Sequence, residues 1–180
     1  FFEVDEEALK FDSAKASALR PVFDPQGTIT AANASSLSDG AAALLLGSDE
    51  HGKKMKPLAR IVAQAQAAQD PVWFTTAPAE SIRALLKKAN LQASDIDLWE
   101  INEAFAAVAL VNMKMLELDP SRVNVRGGAI ALGHPIGASG ARILVTLVHA
   151  LQQRKKRWGV ASLCIGGGEA TSVLVENLDL

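Results

Sequence analysis

The strongest candidate for chemistry is a histidine in a glycine-rich segment. Five of the 13 glycines lie within the 14 positions 127–140, and His134 lies among them. Pro135 favours an extended backbone at His134, and an apolar helix that Ser139 could cap is predicted to follow. An apolar setting and the positive end of a helix both favour the neutral imidazole. A general base requires a neutral imidazole near pH 7, so His134 is a candidate base, with a structural histidine as the alternative.

The single cysteine of the chain is the second candidate. Cys164 is predicted near the end of an apolar strand, and glycines occupy positions 166–168. A thiol there can act as an acid or a base when its surroundings tune its pKa. The backbone N–H groups that begin at Gly166 can bind an anion or a carbonyl oxygen. The alternative is a small buried hydrophobic residue, a common role of free cysteine.

An asparagine is the third candidate. Asn102 falls at a predicted strand-to-helix junction. Asparagine is a preferred residue for capping the N-terminus of a helix, and this structural interpretation has the greater weight on sequence alone. The functional alternative is an amide at the carboxyl end of a strand, where α/β folds bind ligands.

The other two histidines are predicted to lie on the surface. His51 belongs to a polar run, and His149 shares the one polar face of its predicted helix with Arg142. Neither neighbourhood calls for a chemical role, which leaves His134 as the histidine of interest.

The elements that must position these residues alternate between strand and helix from residue 57 onward. Strands are predicted at 58–65, 96–101, 123–125, 160–165 and 171–176, and helices at 79–89, 103–118 and 141–154. This alternation predicts an α/β layer fold. The last two strands form a predicted hairpin, so we expect a mixed β-sheet covered by helices.

The first 56 residues show a less regular pattern. Residues 28–30 are predicted as a short strand, 40–46 form an apolar run typical of a buried element, and 48–56 are predicted as an exposed helix or loop. The chain begins Phe1-Phe2-Glu3 without an initiator methionine, which we interpret as a cut within a longer polypeptide.

The composition excludes several classes of protein. Hydrophobic residues make up 49% and charged residues 21% of 180 residues, as in globular domains. A net charge of -2 argues against an electrostatic nucleic-acid partner, and no apolar run approaches the roughly 20 residues of a membrane span. One cysteine excludes an intrachain disulfide and a CxxC metal site. We therefore expect no metal and no membrane partner, and a cytoplasmic location.

Taken together, the three segments resemble the thiolase family, and most closely its biosynthetic type, the acetyl-CoA acetyltransferases. The resemblance is carried by Asn102-Glu103-Ala104-Phe105, by Gly133-His134-Pro135 and the glycine-rich sequence before it, and by Cys164-x-Gly166. Leu19-Arg20-Pro21-Val22-Phe23 and the segment 27–35 are similar to the family as well. The similarity covers nearly the whole chain in the same order and spacing.

The resemblance implies a Claisen condensation of two acetyl-CoA to acetoacetyl-CoA and CoA, or the reverse thiolysis. The position of Cys164 matches a cysteine that moves the proton at the substrate α-carbon. His134 matches a histidine that activates the nucleophilic cysteine, and Asn102 an asparagine that orients a water in the oxyanion site. The Gly166 N–H matches a donor to the acylated thioester oxygen.

The resemblance also implies a substrate site and partners. Ser35, Phe23, Ala104 and Phe105 match positions that line the coenzyme A site, and Phe74 lies near the position that shapes the acyl pocket. Coenzyme A thioesters are then substrates, and no tightly bound cofactor is implied. The intact enzyme is expected to be a homo-oligomer.

The main departure from the family is the missing N-terminal half, which carries the nucleophilic cysteine. Residues 1–56 resemble a remnant of the loop and N-terminal domains, and 57–180 the C-terminal domain, so we expect the isolated chain to be inactive. Away from the rest of the N-terminal sheet, residues 40–46 would expose apolar surface. Two alternatives stay open, namely a degradative 3-ketoacyl-CoA thiolase and a non-catalytic thiolase-like interaction module.

Overall fold

The fold is built on one mixed β-sheet. The computed structural model describes residues 3–5, 9, 11–52 and 54–180. Four strands, β1 (Ala59–Ala68), β2 (Leu98–Ile101), β3 (Trp158–Cys164) and β4 (Glu169–Asn177), lie in the order β1-β4-β3-β2. Strand β3 is parallel to β2, and β4 is antiparallel to both β3 and β1. The predicted mixed sheet and its final hairpin are confirmed.

The described residues form the helices α1 (Ser13–Ala16), α2 (Asp49–Gly52), α3 (Ala77–Ala89), α4 (Ala106–Leu116), α5 (Ala129–Leu132) and α6 (Ser139–Arg154). Of these, α3 and α4 cover one face of the sheet and α6 covers the other. Short 3-10 turns at Pro71–Trp73, Ala93–Asp95 and Pro120–Arg122 join some of the elements. Among the residues with assigned positions, no helix is both long enough and apolar enough to cross a bilayer.

The core is divided by the sheet because strand side chains alternate between its two faces. One cluster joins α3 and α4 to the sheet through Ile82, Leu85, Val108, Trp99, Val160 and Leu174. The other joins α6 to the opposite face through Ile143, Leu147, Leu151, Leu98, Ala161 and Val175. Consecutive strand residues thus belong to opposite clusters, and all four residues of β2 are buried.

Helix α4 begins three residues later than the helical spacing predicts. Phe105 has an extended backbone, with φ -136° and ψ 150°, and forms an isolated bridge with Ala34. The Ser35 N–H donates to the Ala104 carbonyl at 3.0 Å, and the Ala106 N–H donates to the Asn33 carbonyl at 2.8 Å. These contacts with residues 33–35 hold the chain extended, and Asn102 therefore does not cap the helix.

Two sequence expectations for the first 56 residues are wrong. Residues 28–30 form no strand, although the Ile29 carbonyl accepts the Val22 N–H at 2.8 Å. The run 40–46 has no regular structure, and Leu45 is 87% exposed. The burial that the apolar pattern predicts is therefore wrong, whereas the expected exposure of apolar surface by this run is confirmed. An apolar segment is buried only when a complementary surface covers it. Helix α2 lies in the exposed polar segment as predicted, where Lys53 is outside the described residues.

Candidate functional site

The carboxyl ends of β2 and β3 place two of the predicted residues on one edge of the sheet. The strands are parallel neighbours with Ile101 opposite Ser162. The Asn102 N–H extends this ladder by donating to the Ser162 carbonyl at 2.9 Å. Cys164 is the last residue of β3. The edge formed by the carboxyl ends of parallel strands is where open α/β sheets bind ligands.

Asn102 and His134 are brought into contact at this edge. The Asn102 Nδ2 atom lies 3.3 Å from His134 Nε2, and Asn102 is only 1% exposed. The other end of the amide is held by Arg142, whose Nη2 donates to Asn102 Oδ1 at 3.2 Å. The amide is therefore aimed at the imidazole by contacts between residues distant in sequence.

The second nitrogen of His134 is also held. His134 Nδ1 lies 2.6 Å from Ser139 Oγ, and that hydroxyl donates to the Pro135 carbonyl at 3.1 Å. Ser139 is the first residue of α6, and its side chain orients the imidazole instead of capping the helix as predicted. Burial lowers the pKa of His134, and the positive charge of Arg142 lowers it further. The imidazole is consequently neutral near pH 7, as a general base requires.

A buried carboxyl group and a guanidinium lie side by side behind Asn102. Glu100 is 1% exposed, and its Oε2 is 3.9 Å from Arg142 Nη1. Burial raises the pKa of Glu100 to about 8, while the charge of Arg142 opposes that rise. Sequence reasoning missed both residues and assigned Arg142 to an exposed helix face. The available signal was Glu100 between Trp99 and Ile101 in a strand of buried apolar residues, because a buried carboxylate needs a partner.

The raised pKa of Glu100 predicts a dependence of stability on pH. A glutamate in the unfolded chain titrates near about pH 4.3, so the stabilisation is complete below that pH and is lost as pH rises through about 8. Between pH 6.5 and 8 the wild type should lose about 1–2 kcal/mol more than Glu100→Gln. The lowered pKa of His134 acts only below its ordinary value of about 6.5, outside this window.

Urea denaturation at several pH values measures this slope. Glu80→Gln is the matched control, because the Glu80 side chain is 46% exposed and pairs with Arg83 on the surface. It should keep the wild-type slope. Equal slopes for the wild type and Glu100→Gln would show that the carboxyl titrates at its ordinary pKa.

The glycine-rich segment is tied to the end of β2 by Glu103 and Asn124. Asn124 donates to Glu103 Oε1 at 2.7 Å, and Glu103 Oε2 accepts the Ile130 N–H at 3.2 Å. The Asn124 amide also bonds both backbone groups of Ile101 at 2.8 Å, as a strand would. A side chain at Gly128 would overlap the Glu103 carboxylate. This close approach explains one of the glycines and positions the backbone that leads to His134.

The four residues predicted to line the coenzyme A site form one cluster. The Ser35 hydroxyl donates to the Ala104 carbonyl at 2.8 Å. The ring of Phe23 packs edge-on against Phe105 with centroids 5.8 Å apart, and Phe74 does so at 6.2 Å. Phe23 is 70% exposed, so the cluster presents aromatic surface to solvent.

Cys164 and Gly166 lie on the neighbouring loop. Cys164 is half-buried, and burial raises the pKa of its thiol. It is therefore protonated near pH 7 and suited to donate a proton. The following turn is closed by the Gly168 N–H on the Ile165 carbonyl at 3.1 Å, which leaves Gly166 exposed. Within the described part of the chain, no group of three or more His, Cys, Asp or Glu residues is arranged to hold a metal ion.

Comparison with known proteins explains this arrangement. Residues 55–177 match the thiolase C-terminal domain, and residues 2–50 match the thiolase N-terminal domain. The chain belongs to the thiolase family. Among solved structures, an acetyl-CoA acetyltransferase of Bacillus anthracis is 46% identical with a TM-score of 0.91, over 94% of this chain and 43% of that one. The Acat5 thiolase of Ascaris suum, solved with coenzyme A, is 48% identical with a TM-score of 0.88, over 97% and 46%.

Curated relatives of this thiolase chain include acetyl-CoA acetyltransferases. A probable acetyl-CoA acetyltransferase of Dictyostelium discoideum is 52% identical over 97% of this chain and 42% of its own length. The mitochondrial enzyme of Rattus norvegicus is 55% identical over 97% of this chain and 41% of its own length. The chain thus spans about two fifths of the relatives that it matches.

The cytoplasmic location expected for this thiolase chain is wrong. The similar enzymes of Rattus norvegicus, Mus musculus and Bos taurus are named as mitochondrial. The expectation rested on one cysteine and the lack of a long apolar run. Those features suit any reducing aqueous compartment, so they do not separate the cytosol from the mitochondrion.

Proposed function

We propose that this chain supplies the proton-transfer half of an acetyl-CoA acetyltransferase site. The reaction is the condensation of two acetyl-CoA to acetoacetyl-CoA and CoA, or the reverse thiolysis. The observation that carries the proposal is the chain of contacts from Asn102 through His134 to Ser139, on the sheet edge that also bears Cys164. It provides a neutral base and a protonated thiol on adjacent loops.

The two groups have different tasks in this proposal. His134 takes the proton of a nucleophilic cysteine, which family resemblance assigns to the N-terminal half. The resulting thiolate attacks the carbonyl carbon of the first acetyl-CoA and becomes acylated, the C–S bond to CoA breaks, and the departing CoA thiolate takes the proton of the Cys164 thiol. In the condensation, the Cys164 thiolate removes a proton from the α-carbon of the second acetyl-CoA. The resulting carbanion attacks the acyl carbonyl carbon, a C–C bond forms, and the nucleophilic cysteine leaves as a thiolate. In thiolysis, the Cys164 thiol returns the proton to carbon.

Two further groups stabilise the oxygens that become negative. The Gly166 N–H donates to the thioester oxygen of the acylated cysteine, and Asn102 orients a water at the oxyanion site beside His134. Such preorganised donors act where charge develops in the transition state. The exposed turn at Gly166 and the fixed amide of Asn102 support these assignments.

The substrate is proposed to bind across the aromatic cluster. Phe23, Phe105, Ala104 and Ser35 are assigned to the coenzyme A moiety, and Phe74 to the neighbourhood of the acyl group. Residues 1–56 are assigned to the loop and N-terminal domains and 57–180 to the C-terminal domain. The assembled enzyme is proposed to be a homo-oligomer that binds its coenzyme A thioesters as substrates.

Thiolysis of acetoacetyl-CoA tests the proposal. The 180-residue chain alone should show no turnover, whereas turnover should appear when an N-terminal half from a related thiolase is supplied. Cys164→Ala should abolish that turnover, and His51→Ala, an exposed residue outside the site, should preserve it. Sustained turnover by the chain alone would contradict the assignment of the nucleophile. A stable complex without turnover would support the non-catalytic interaction module instead.

A second candidate is a degradative thiolase acting on longer 3-ketoacyl-CoA. Human mitochondrial 3-ketoacyl-CoA thiolase is 42% identical to this chain with a TM-score of 0.86, over 94% of this chain and 43% of that one. Chain-length kinetics with C4 to C12 substrates on the assembled protein separates the two. A maximum at C4 supports the acetyltransferase, and a maximum at longer chains supports the degradative enzyme.

A further inference from the structure

We propose that Arg142, which lies beside the buried carboxyl of Glu100, is a positioning residue that fixes the amide of Asn102 and thereby the Nδ1–H tautomer of His134. The catalytic meaning of this arrangement rests on the proposed function. The tautomer itself is a property of the folded chain and is measurable without substrate.

The first step is the orientation of the Asn102 amide. Arginine carries only hydrogen-bond donors, so the atom that faces it must be an acceptor. The Arg142 Nη2 atom lies 3.2 Å from Asn102 Oδ1. This is the only chemically allowed orientation of the amide, because its oxygen can accept the hydrogen bond and its NH₂ group cannot. The NH₂ group consequently faces His134 Nε2 at 3.3 Å.

The second step is the tautomer of His134. Because the Asn102 NH₂ is a donor, Nε2 must offer its lone pair. A neutral imidazole carries one proton, which then lies on Nδ1 and is donated to Ser139 Oγ at 2.6 Å. The Ser139 hydroxyl in turn donates a hydrogen bond to the Pro135 carbonyl at 3.1 Å. Each group in this series of hydrogen bonds therefore donates to the next one, from Arg142 to Pro135.

The two ends of this series of hydrogen bonds, Arg142 and Pro135, differ in how strongly they impose the direction of donation. The Pro135 carbonyl already accepts the Ala138 and Ser139 N–H groups, at 2.8 and 2.9 Å. Rotation of the Ser139 hydroxyl toward Nδ1 would leave that carbonyl satisfied, so Ser139 accommodates either tautomer. Arg142 has no acceptor to offer in exchange. The choice of tautomer is thus made at Arg142.

Glu100 is the acidic group that faces this guanidinium. The Arg142 side chain is 18% exposed and the Glu100 side chain 2% exposed, with 3.9 Å between Nη1 and Oε2. Arg142 Nε and Nη1 are buried without a hydrogen-bond partner, an arrangement that costs free energy. The Glu100 carboxyl is mostly protonated at pH 7, because burial raises its pKa to about 8, so its charge does not offset this cost at that pH. The contact between Glu100 and Arg142 therefore leaves buried polar atoms without hydrogen bonds. Arg142 Nη2, by contrast, donates a hydrogen bond to Asn102 Oδ1.

The functional consequence concerns the basic atom of His134. With the proton on Nδ1, the lone pair of Nε2 faces the side of the ring that Asn102 contacts. In the proposed reaction, Nε2 receives the thiol proton and the resulting Nε2–H can donate to the thioester oxygen. The opposite tautomer would present a donor where the base is required.

Nitrogen-15 NMR of the imidazole side chains in the 180-residue chain tests the proposal. His134 is assigned through His134→Gln, with His51 and His149 as internal references. The wild type should show Nδ1 in the protonated range and Nε2 in the unprotonated range. In Arg142→Met the Asn102 amide is free to rotate, and the population of the Nε2–H tautomer of His134 should rise at least several-fold. Arg142→Lys keeps a donor and should keep the Nδ1–H tautomer.

The matched control is Arg83→Met, which removes an arginine of similar length that binds Glu80 and the Met115 carbonyl on the surface. It should leave the His134 tautomer unchanged. An Nε2–H tautomer in the wild type would overturn the proposal even if Arg142→Met fails to fold. An unchanged tautomer in folded Arg142→Met would overturn it as well. The Nδ1–H tautomer in the wild type, combined with no turnover in the assembled protein, would reject only the proposed function.

Discussion

His134→Gln is expected to lower kcat/KM for acetoacetyl-CoA thiolysis by about 10²–10⁴-fold in the assembled protein, the range for loss of a general base. The glutamine amide can occupy the space between Asn102 and Ser139 and preserve the fold. It cannot accept a proton near pH 7. The nucleophilic thiol would then have to ionise without the base that is poised by burial and by the charge of Arg142.

His149→Gln is the control for this substitution. His149 lies on α6 and is exposed, so the same chemical change there should leave kcat/KM within a factor of two. Circular dichroism of both variants should match the wild type. A loss below tenfold for His134→Gln, or an equal loss for His149→Gln, would remove His134 from the proposed mechanism.

Gly168→Ala is expected to destabilise the fold by about 2–5 kcal/mol. Gly168 has φ +100°, a region that costs an L-residue about 1–2 kcal/mol or more. The added methyl group would also overlap the Gln69 carbonyl oxygen and approach Pro71 N at 3.0 Å, and overpacking costs about 1–3 kcal/mol. Relief requires a shift between residues 69–71 and the turn that carries Gly166.

Urea denaturation measures this effect, with Gly137→Ala as the matched control. Gly137 has open space around its Cβ position and does not have a positive φ, so its substitution should change the free energy of unfolding by less than about 0.5 kcal/mol. A difference below 1 kcal/mol between the two variants would show that the turn after Cys164 adapts freely.

Among the described residues, most of the buried side-chain polar atoms that lack a hydrogen-bond partner lie where the chemistry is proposed. Glu100 Oε1, Arg142 Nε and Arg142 Nη1 are three of the four buried side-chain atoms without a partner among the described residues. Core positions filled by an apolar pair would satisfy packing at lower cost. Their presence beside Asn102 is the pattern expected where a fold gives up stability to position a site.

Much of the fold could be predicted from local patterns. The spacing of Ile82, Leu85 and Leu86 indicates α3, and the apolar run before the three glycines indicates β3. These patterns record a period of 3.6 or 2 that the backbone imposes on neighbouring residues. They failed at residues 40–46, where an apolar run is exposed, because the pattern contains no information on what lies opposite.

The site divides in the same way. Residue type and local setting indicated His134, Asn102 and Cys164, since glycine, proline and strand ends constrain the backbone around them. The same signals misplaced Ser139 as a helix cap and Arg142 as a surface residue. Their contacts join residues 5 and 40 positions apart, Ser139 to His134 and Arg142 to Asn102.

The sequence by itself determined the family, the α/β class and the side chains that carry the chemistry, because motifs and periodicity are local. Only the tertiary structure decided which atoms of those side chains meet. The direction of the hydrogen bonds from Arg142 through Asn102 to His134 depends on the packing of α6 against β2, and burial of Glu100 depends on both faces of the sheet being covered. Distances across the fold set the tautomer and pKa of His134, and these are properties of the folded surroundings that no local pattern contains.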